Sequence, residues 1–326
     1  MKLKNLKLEN NIFLAPMAGV TDKTYRSIVK EFGCSLMFTE MVSAKAVTYG
    51  YKRTHRLVKF PDSQRPIGVQ MFGSEPQIMA EAAKIIEEKD NPDVIDINMG
   101  CPVPKIVNNN EGSALMKDIE LSFNIVKAMV EAVSTPITVK IRKGFNKELI
   151  NAVVFAKSME QAGASMVTVH GRTREQYYKG SADWEIIKEV KKNVDIPVVG
   201  NGDIFSEKDA KEMFEYTKCD AVMVARGIQG NPFLIRNINH YIEHGKKLPE
   251  PTLSEKFNVM KKHLRKAVLD KGEYVAVREM RSHLSWYIKG LPNASEIRNL
   301  IFKQTSEKDL IKILDQYHKD LLKDDF

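Results

Sequence analysis

One cysteine lies in the stretch of the chain whose residue types suggest chemistry most directly, residues 98–102 with the sequence NMGCP. The stretch closes an apolar, β-branched run that begins at Val94, and such a run is typical of a buried parallel strand. Gly100 and Pro102 interrupt the strand and restrict the backbone on either side of Cys101. Because α/β proteins place reactive groups at the carboxyl ends of their strands, this position predicts a reactive thiol, although a free cysteine is more often a small buried apolar residue.

Polar or turn-forming residues also end other apolar segments of the chain. They are Gln70, Lys140 with Arg142, His170 with Arg172, Asn201 with Gly202 and Asp203, and Ala225 with Arg226. Each alone has an ordinary structural explanation, such as a capped barrel layer, an ion pair, a core histidine or a turn. Together they predict one ligand-binding rim, because polar groups are rarely concentrated at strand ends without a ligand.

The last two of these loops, residues 201–203 and 225–227, favour a phosphate ligand. Their glycines let backbone amides approach a phosphate, Arg226 can pair with it, and a helix start near residues 229–232 would add its positive end. Lys140 would face the ring of a flavin, where a cation stabilises negative charge at N1 of the reduced form. One phosphate together with a polar planar ring indicates flavin mononucleotide (FMN).

Eight short apolar segments, each followed by a turn and a helical pattern, must position these residues. The predicted strands are 12–15, 36–39, 67–71, 94–98, 137–141, 166–170, 197–200 and 221–225, and the predicted helices between them include 75–88, 120–133, 147–162, 184–192 and 207–216. Most of the strands are apolar on both faces, as parallel strands under helices are. Eight alternating units predict an α/β fold, a (β/α)8 TIM barrel; a doubly wound open sheet is the alternative, but no Gly-x-Gly-x-x-Gly fingerprint follows the first strand.

The pattern changes near Gly245. A charged linker with two prolines, residues 246–251, precedes four helical segments at 253–270, 275–288, 294–302 and 307–322. We therefore predict an FMN-binding barrel over residues 1–244 and an all-helical domain over residues 245–326. The net charge is +8, and about half of that excess lies after residue 240, so the basic tail fits a polyanionic partner.

The remaining composition favours an ordinary cytoplasmic enzyme. Three cysteines, far apart and odd in number, predict a reducing compartment rather than a disulfide framework. The first residues alternate in charge without a continuous apolar core, which predicts no secretory signal, and we find no apolar run of membrane-spanning length. The seven histidines lack ligand spacing, so we expect no catalytic metal.

Taken together, these motifs resemble those of the tRNA-dihydrouridine synthases, most closely the bacterial B-type subgroup. The matching stretches are 14–22, 38–41, 96–104, 138–142, 168–173, 199–203, 222–231, 278–283 and 286–290, spread over nearly the whole chain. The resemblance implies an enzyme with tightly bound FMN that reduces the 5,6 double bond of selected tRNA uridines, with NADPH reducing the flavin, and it suggests a monomer. It implies FMN contacts at Pro16, Met17, Ala18, Gln70, Lys140, His170, Asn201, Gly202, Asp203, Ala225 and Arg226.

The resemblance also implies that Cys101 is the proton donor, and the chemistry of the residues agrees with a two-part reduction. Hydride would pass from N5 of reduced FMN to C6 of uracil, and Cys101 would give a proton to C5. A thiol of ordinary pKa is mostly protonated at neutral pH and still acidic enough to donate. Asn98, Arg142 and Arg172 are the candidate uracil contacts.

The basic tail would hold the RNA. A base stacked inside folded RNA cannot reach a barrel mouth, so the target uridine must be extruded from a loop. The candidate tRNA contacts are Arg278, Arg281, His283 and Lys289. Trp286 and Tyr287 lie close to them and add stacking surface, although they alternatively pack the helical bundle.

Two other functions stay open on the sequence. A flavin barrel that reduces a free small molecule, as in dihydroorotate dehydrogenases or old yellow enzymes, fits the same rim but gives the basic tail no role. A catalytically idle RNA-binding protein fits the tail but leaves the strand-end residues unexplained.

Overall fold

Eight parallel strands close into a barrel in the computed structural model, which describes residues 1–324. In chain order the strands are β1 (Lys2–Leu3) and β2 (Leu6–Lys7), an antiparallel pair, then β3 (Ile12–Leu14), β4 (Leu36–Phe38), the short β5 (Val42–Ser43), β6 (Ile67–Phe72), β7 (Val94–Met99), β8 (Ile137–Gly144), β9 (Val167–Thr173), β10 (Val198–Asn201) and β11 (Ala221–Val224). Strand β4 closes the barrel by pairing with both β3 and β6. The predicted TIM barrel is confirmed, and the eight predicted strands end within three residues of the observed ones.

The barrel strands are buried on both faces, which explains why they are apolar throughout. In β3, Ile12 and Leu14 pack outward against the helices, whereas Phe13 points into the barrel among Leu36, Phe38 and other interior side chains. Leu3 of β1 and Leu8, which directly follows β2, join that interior cluster. Each such side chain contributes roughly 1.5–3 kcal/mol when fully buried, so the two apolar clusters fix the strand register that sets the rim.

Helices cover the outside of the barrel. They are α1 (Lys23–Glu31), α2 (Ala44–Thr48), α3 (Lys52–Val58), α4 (Pro76–Asp90), α5 (Pro104–Val107), α6 (Ile119–Ala132), α7 (Ala152–Gln161), α8 (Trp184–Asn193), α9 (Glu207–Thr217) and α10 (Phe233–His244). Single 3-10 turns occur at Asp62–Gln64 and Arg226–Ile228, and a longer one at Gly112–Lys117.

One predicted helix begins too early in the sequence. The prediction started it at residue 147, but α7 begins at Ala152. Strand β8 instead continues to Gly144 and the chain then turns back on itself. The Phe145 N–H donates to the Leu149 carbonyl (3.0 Å), and the Leu149 N–H donates to Asn146 Oδ1 (2.8 Å). The hydrophobic period alone does not distinguish such a turn from a first helical turn.

Four helices follow the barrel, as predicted. They are α11 (Leu253–Lys271), α12 (Glu273–Tyr287), α13 (Ala294–Lys303) and α14 (Glu307–Asp324). Helix α10 ends at His244 and is capped by Gly245, and a capping box of Thr252 and Glu255 begins α11. The new helices share one hydrophobic cluster with the outer layer of the barrel, and α11 packs on α1. Among residues 1–324, no helix is both long and apolar enough to cross a membrane.

Candidate active site

A cavity of about 490 Å³ opens at the carboxyl ends of the barrel strands. Its wall brings together fourteen of the residues singled out from the sequence, namely Pro16, Met17, Ala18, Gln70, Asn98, Cys101, Lys140, Arg142, His170, Asn201, Gly202, Asp203, Ala225 and Arg226. These side chains come from seven different strand ends or the loops after them. Their convergence on one rim follows from the parallel barrel, whose strands all finish on the same side.

The turn that carries Cys101 is held by side chains from two strands. Asn98 Oδ1 accepts hydrogen bonds from the N–H groups of Gly100 (3.0 Å) and Cys101 (2.8 Å). Arg142 Nε donates to the Gly100 carbonyl (2.8 Å). Burial raises the pKa of the Cys101 thiol, although Arg142 and Lys140 act in the opposite direction. The cavity therefore presents a protonated thiol at neutral pH on a fixed backbone.

Lys140 and His170 give the cavity floor a cation beside a neutral imidazole. Lys140 Nζ donates to Asn201 Oδ1 (3.0 Å), and Asn201 in turn donates from Nδ2 to the Met223 carbonyl (2.8 Å). Burial, with Arg142 nearby, lowers the pKa of Lys140 to about 8. Burial, together with Arg142 and the other surrounding cations, lowers the pKa of His170 well below 6.5, so this ring is uncharged at neutral pH.

The loops after β10 and β11 meet through Asp203. Arg226 donates to Asp203 Oδ1 (3.1 Å), and its guanidinium carbon lies 4.7 Å from the ring centre of Tyr178 and 5.5 Å from that of Phe205. Gly202 has a φ of +126°, which lets the chain turn sharply here. The 3-10 turn Arg226–Ile228 follows β11 after one residue, whereas α10 begins at Phe233, beyond the predicted helix start at 229–232.

Arg172 lies outside the cavity wall, beneath Asp203. It is 2% exposed, and its guanidinium donates to both oxygens of Asp203 (2.8 and 2.7 Å) and to the carbonyls of Lys179 and Gly180. Although burial opposes the shift, Arg172 and the Ala182 N–H hold the pKa of Asp203 below its usual value. A contact between Arg172 and a substrate stays a prediction; its observed partners are the loops that shape the cavity.

The four tail residues singled out from the sequence have different environments. Arg278 is exposed and lies over the Tyr274 ring at 3.6 Å, and Lys289 is exposed. Arg281 is half-buried and donates to the Gln304 carbonyl (2.6 Å). His283 is 3% exposed and packs against the rings of Tyr25, His263 and Trp286. Its position is therefore one of core packing, away from any surface that RNA could reach.

A second cavity, of about 410 Å³, lies between α12 and α13. Its lining includes Trp286, Lys289, Arg298 and Phe302. This groove combines cations with aromatic rings, the combination that single-stranded nucleic acids favour.

The sequence reasoning missed residues of two kinds at the main cavity. Tyr178 and Phe205 line it from loops, and no motif or periodicity indicates a loop residue of this type. Asp96 is different, because a carboxylate inside an apolar strand is itself a signal. It is 1% exposed and accepts hydrogen bonds from Gln70 and Thr138 directly below the cavity wall.

This combination of a closed (β/α)8 barrel, a cationic mouth and a thiol at the end of the fourth barrel strand defines a TIM-barrel enzyme. The family model described as "Dihydrouridine synthase (Dus)" matches residues 13–323. A probable tRNA-dihydrouridine synthase of Rickettsia bellii is 43% identical over 315 residues, covering 95% of this chain and 96% of the relative. The tRNA-dihydrouridine synthase B of Shewanella oneidensis is 40% identical over 288 residues, covering 88% of this chain and 89% of the relative.

The chain therefore belongs to the dihydrouridine synthase family, and the predicted enzyme class is confirmed. Solved structures are similar in fold at low sequence identity. Histamine dehydrogenase from Rhizobium sp. 4-9 has a TM-score of 0.58 at 16% identity, covering 87% of this chain and 50% of that one. The crystal structure of TcOYE with pHBA has a TM-score of 0.57 at 12% identity, covering 84% of this chain and 97% of that one.

Proposed function

We propose that this protein reduces the C5–C6 double bond of uridine in tRNA to 5,6-dihydrouridine, with bound FMN as cofactor and NADPH as reductant. The observation that carries the proposal is the thiol of Cys101 in the wall of a cavity whose floor holds Lys140 and whose far loops hold Arg226. An acid, a ring-facing cation and a phosphate-facing cation are the groups that this reaction requires. Family membership supports the same reaction.

The residues of the cavity fit an anionic cofactor. Within the described residues, its wall carries the cations Lys140, Arg142 and Arg226 against a single carboxylate, Asp203, which is already paired. The burial that lowers the pKa of Lys140 is a cost that an anionic partner would remove. A volume of about 490 Å³ also lies in the range of cofactor pockets.

We propose that the loops at residues 201–203 and 225–227 hold the phosphate, with Arg226 pairing to it. Lys140, His170, Gln70 and residues 16–18, which all line the same cavity, would hold the flavin ring. When bound, the flavin supplies the hydride for C6 of uracil.

Cys101 would donate the proton at C5. Its raised pKa keeps the proton on sulfur until a carbanion develops, and the hydrogen bonds of Asn98 and Arg142 fix the turn from which the thiol acts. The same two side chains lie in the cavity wall and are the proposed contacts to the uracil edge.

For tRNA, we propose contacts from the exposed Arg278 and Lys289, and from the groove between α12 and α13. We leave His283 out, because its ring is buried. Residues 1–244 would form the catalytic domain and residues 245–326 the tRNA-binding domain. We propose a cytoplasmic protein, since the proposed substrate is tRNA, and a monomer, as the family resemblance suggests.

The test is to incubate the purified protein with NADPH and unmodified tRNA, and separately with free uridine. We expect a yellow protein and a mass gain of one H2 per modified uridine, found in tRNA and absent from free uridine. Equal reduction of free uridine would favour a small-molecule reductase. A colourless protein that binds tRNA without altering its mass would overturn the proposal.

A further inference from the structure

A buried carboxylate lies one layer below the cavity wall. Asp96 on β7 pairs in register with Gln70 on β6 and with Thr138 on β8. Two residues further along, Asn98 and Lys140 are also in register. Because strand residues alternate between faces with a period of two, Asp96 lies directly under Asn98, and Thr138 lies directly under Lys140.

Both oxygens of this carboxylate are occupied. Gln70 Nε2 donates to Asp96 Oδ2 (2.7 Å), and Thr138 Oγ1 donates to Asp96 Oδ1 (2.6 Å). An ionised carboxylate accepts hydrogen bonds and donates none. The end of the Gln70 amide that faces Asp96 must therefore be its nitrogen.

The orientation of the Gln70 amide in turn determines the orientation of the Asn98 amide. With its nitrogen directed at Asp96, Gln70 turns Oε1 toward Asn98, whose Nδ2 donates to it (2.8 Å). The Asn98 oxygen is then left for the N–H groups of Gly100 and Cys101 (3.0 and 2.8 Å). The Asp96 carboxylate thus sets the orientation of the Gln70 and Asn98 side-chain amides. The Asn98 amide in turn holds the backbone turn that carries Cys101.

We propose that Asp96 is a positioning residue of this site, whose carboxylate fixes the orientation of the Gln70 and Asn98 amides and through them the Cys101 turn. The same carboxylate supports the charge of Lys140, which is in register with Asn98. The inference rests on the proposed function for its effect on turnover, but its effect on Lys140 is independent of any reaction.

The effect of Asp96 on the charge of Lys140 differs in sign from that of the neighbouring cations. The titratable groups that influence it are Arg142 on its own strand, Asp96 on β7 and Cys101 after β7, while His170 faces it from β9. Asp96 is the carboxylate among them. The negative charge of Asp96 raises the pKa of Lys140, whereas burial and the Arg142 charge lower it to about 8. The positive charge of Lys140 in turn lowers the pKa of Asp96, whereas burial raises it to about 6.

The first experiment compares Asp96→Asn with the wild type in the complete, cofactor-loaded protein. An NMR titration of the isotope-labelled lysine side chains reports the pKa of Lys140, which we expect to fall by about one unit when its anion is removed, a tenfold shift in the protonation equilibrium. A Lys140 titration that is the same in both proteins would overturn the electrostatic part. This readout needs no tRNA, so it separates failure of the inference from failure of the proposed function.

The second experiment keeps the charge and removes one hydrogen bond, with a matched control. Thr138→Val deletes the donor to Asp96, whereas Thr168→Val deletes a buried barrel hydroxyl for which the described residues provide no hydrogen-bond partner. We expect Thr138→Val to lower kcat roughly threefold to tenfold with KM for tRNA unchanged, because the loosened carboxylate no longer holds the amides. Thr168→Val should change neither constant.

The two experiments also check each other. Thr138→Val removes a hydrogen bond that lowers the pKa of Asp96, but near pH 8, where Lys140 titrates, the Asp96 carboxylate should still be ionised. The Lys140 titration of this variant should therefore stay close to the wild-type position. If Asp96→Asn does not fold, the comparison of kcat between Thr138→Val and Thr168→Val tests the positioning role of Asp96 on its own. Equal kcat values for the two threonine variants would overturn the positioning role.

Discussion

Cys101 combines two properties that oppose each other in most cysteines, a largely buried sulfur and contact with a cavity. The other two cysteines, Cys34 and Cys219, are buried away from the cavity wall. Burial favours the neutral form of all three thiols. For a nucleophile this would be a handicap, since the thiolate attacks. For an acid it is an advantage, because the proton is present when the substrate needs it.

We expect Cys101→Ala to fold, to bind its flavin and to turn over tRNA roughly 10²- to 10⁴-fold more slowly, the usual loss for a general acid. Single-turnover reduction of tRNA by the prereduced protein measures this step without interference from NADPH oxidation. Cys219→Ala is the matched control, since it removes a buried thiol remote from the cavity and should leave the rate unchanged. Wild-type rates in Cys101→Ala would remove the thiol from the mechanism.

Lys140 predicts a pH dependence of cofactor binding. Its pKa of about 8 means that the cation is present at pH 7 and largely lost by pH 9. Reduced FMN carries negative charge at N1 of its ring, so binding it favours the protonated form of Lys140, and affinity for the reduced flavin should fall as the pH rises through about 8. Anaerobic dialysis of the reduced protein at several pH values, followed by flavin absorbance after reoxidation, measures the fraction retained.

The effect of Lys140 on folding stability changes with pH in the opposite direction to its effect on flavin affinity. The folded protein releases the Lys140 proton near pH 8, whereas the unfolded chain keeps it until the usual lysine pKa. Between these values the unfolded state binds more protons, so the cost of burying this cation falls and the protein becomes more stable as pH rises.

In Lys140→Met, retention of the reduced flavin should be lower at pH 7 and independent of pH near 8. A wild-type pH profile in that variant would assign the effect to another group.

At the scale of elements, the sequence predicted which residues lie at the strand ends, but it did not predict the tertiary neighbours that surround the functional residues. The eight apolar runs placed Gln70, Lys140 and Cys101 on one rim, because a parallel barrel leaves little choice of side. The environments of Arg172 and His283 depend on tertiary neighbours that no local pattern contains, the Asp203 carboxylate for one and a cluster of buried rings for the other. Residues 147–151 were assigned to a helix because their turn contacts are equally local but aperiodic.

The loop after β11 connects the cavity to the C-terminal helices. Gln229 lines the cavity, and Gly230 packs directly on the backbone of α12, where an added Cβ would lie 2.3 Å from the Trp286 carbonyl carbon. Tyr25 on α1 donates to the Ile228 carbonyl from within the same ring cluster that contains His263. The position of the proposed phosphate loop therefore depends on close packing against α12.

Gly230→Ala should move this loop. Gly230 has a φ of +71°, so alanine costs about 1–2 kcal/mol in backbone strain and adds a clash with α12. Gly245→Ala is a matched control, since its φ is +67° and an added Cβ meets nothing within 4 Å. We expect denaturant unfolding to show a larger loss of stability for Gly230→Ala, accompanied by weaker flavin retention. Equal stability losses in the two variants would mean that the contact with α12 is unimportant.

At the scale of the whole molecule, the barrel mouth and the basic tail form adjacent surfaces. The groove between α12 and α13 contains Trp286, whose backbone contacts Gly230, next to the cavity-lining Gln229. In the proposed function, an RNA strand that enters the cavity with one base extruded would therefore pass close to Lys289 and Arg298. Helix α8 runs back from the rim, so Lys192 in its last turn lies at the opposite end of the barrel.

This arrangement predicts how salt weakens tRNA binding. Each phosphate neutralised by a cation contributes roughly 0.7 to 0.9 to the slope of log K against log salt, because bound counterions are released. Lys289→Ala should reduce the magnitude of that slope by about 1, whereas Lys192→Ala should leave it unchanged, since Lys192 is exposed but paired with Glu189 far from the mouth. Binding isotherms of unmodified tRNA at several salt concentrations measure both slopes. Identical slopes for Lys289→Ala and the wild type would mean that the groove between α12 and α13 does not hold the RNA backbone.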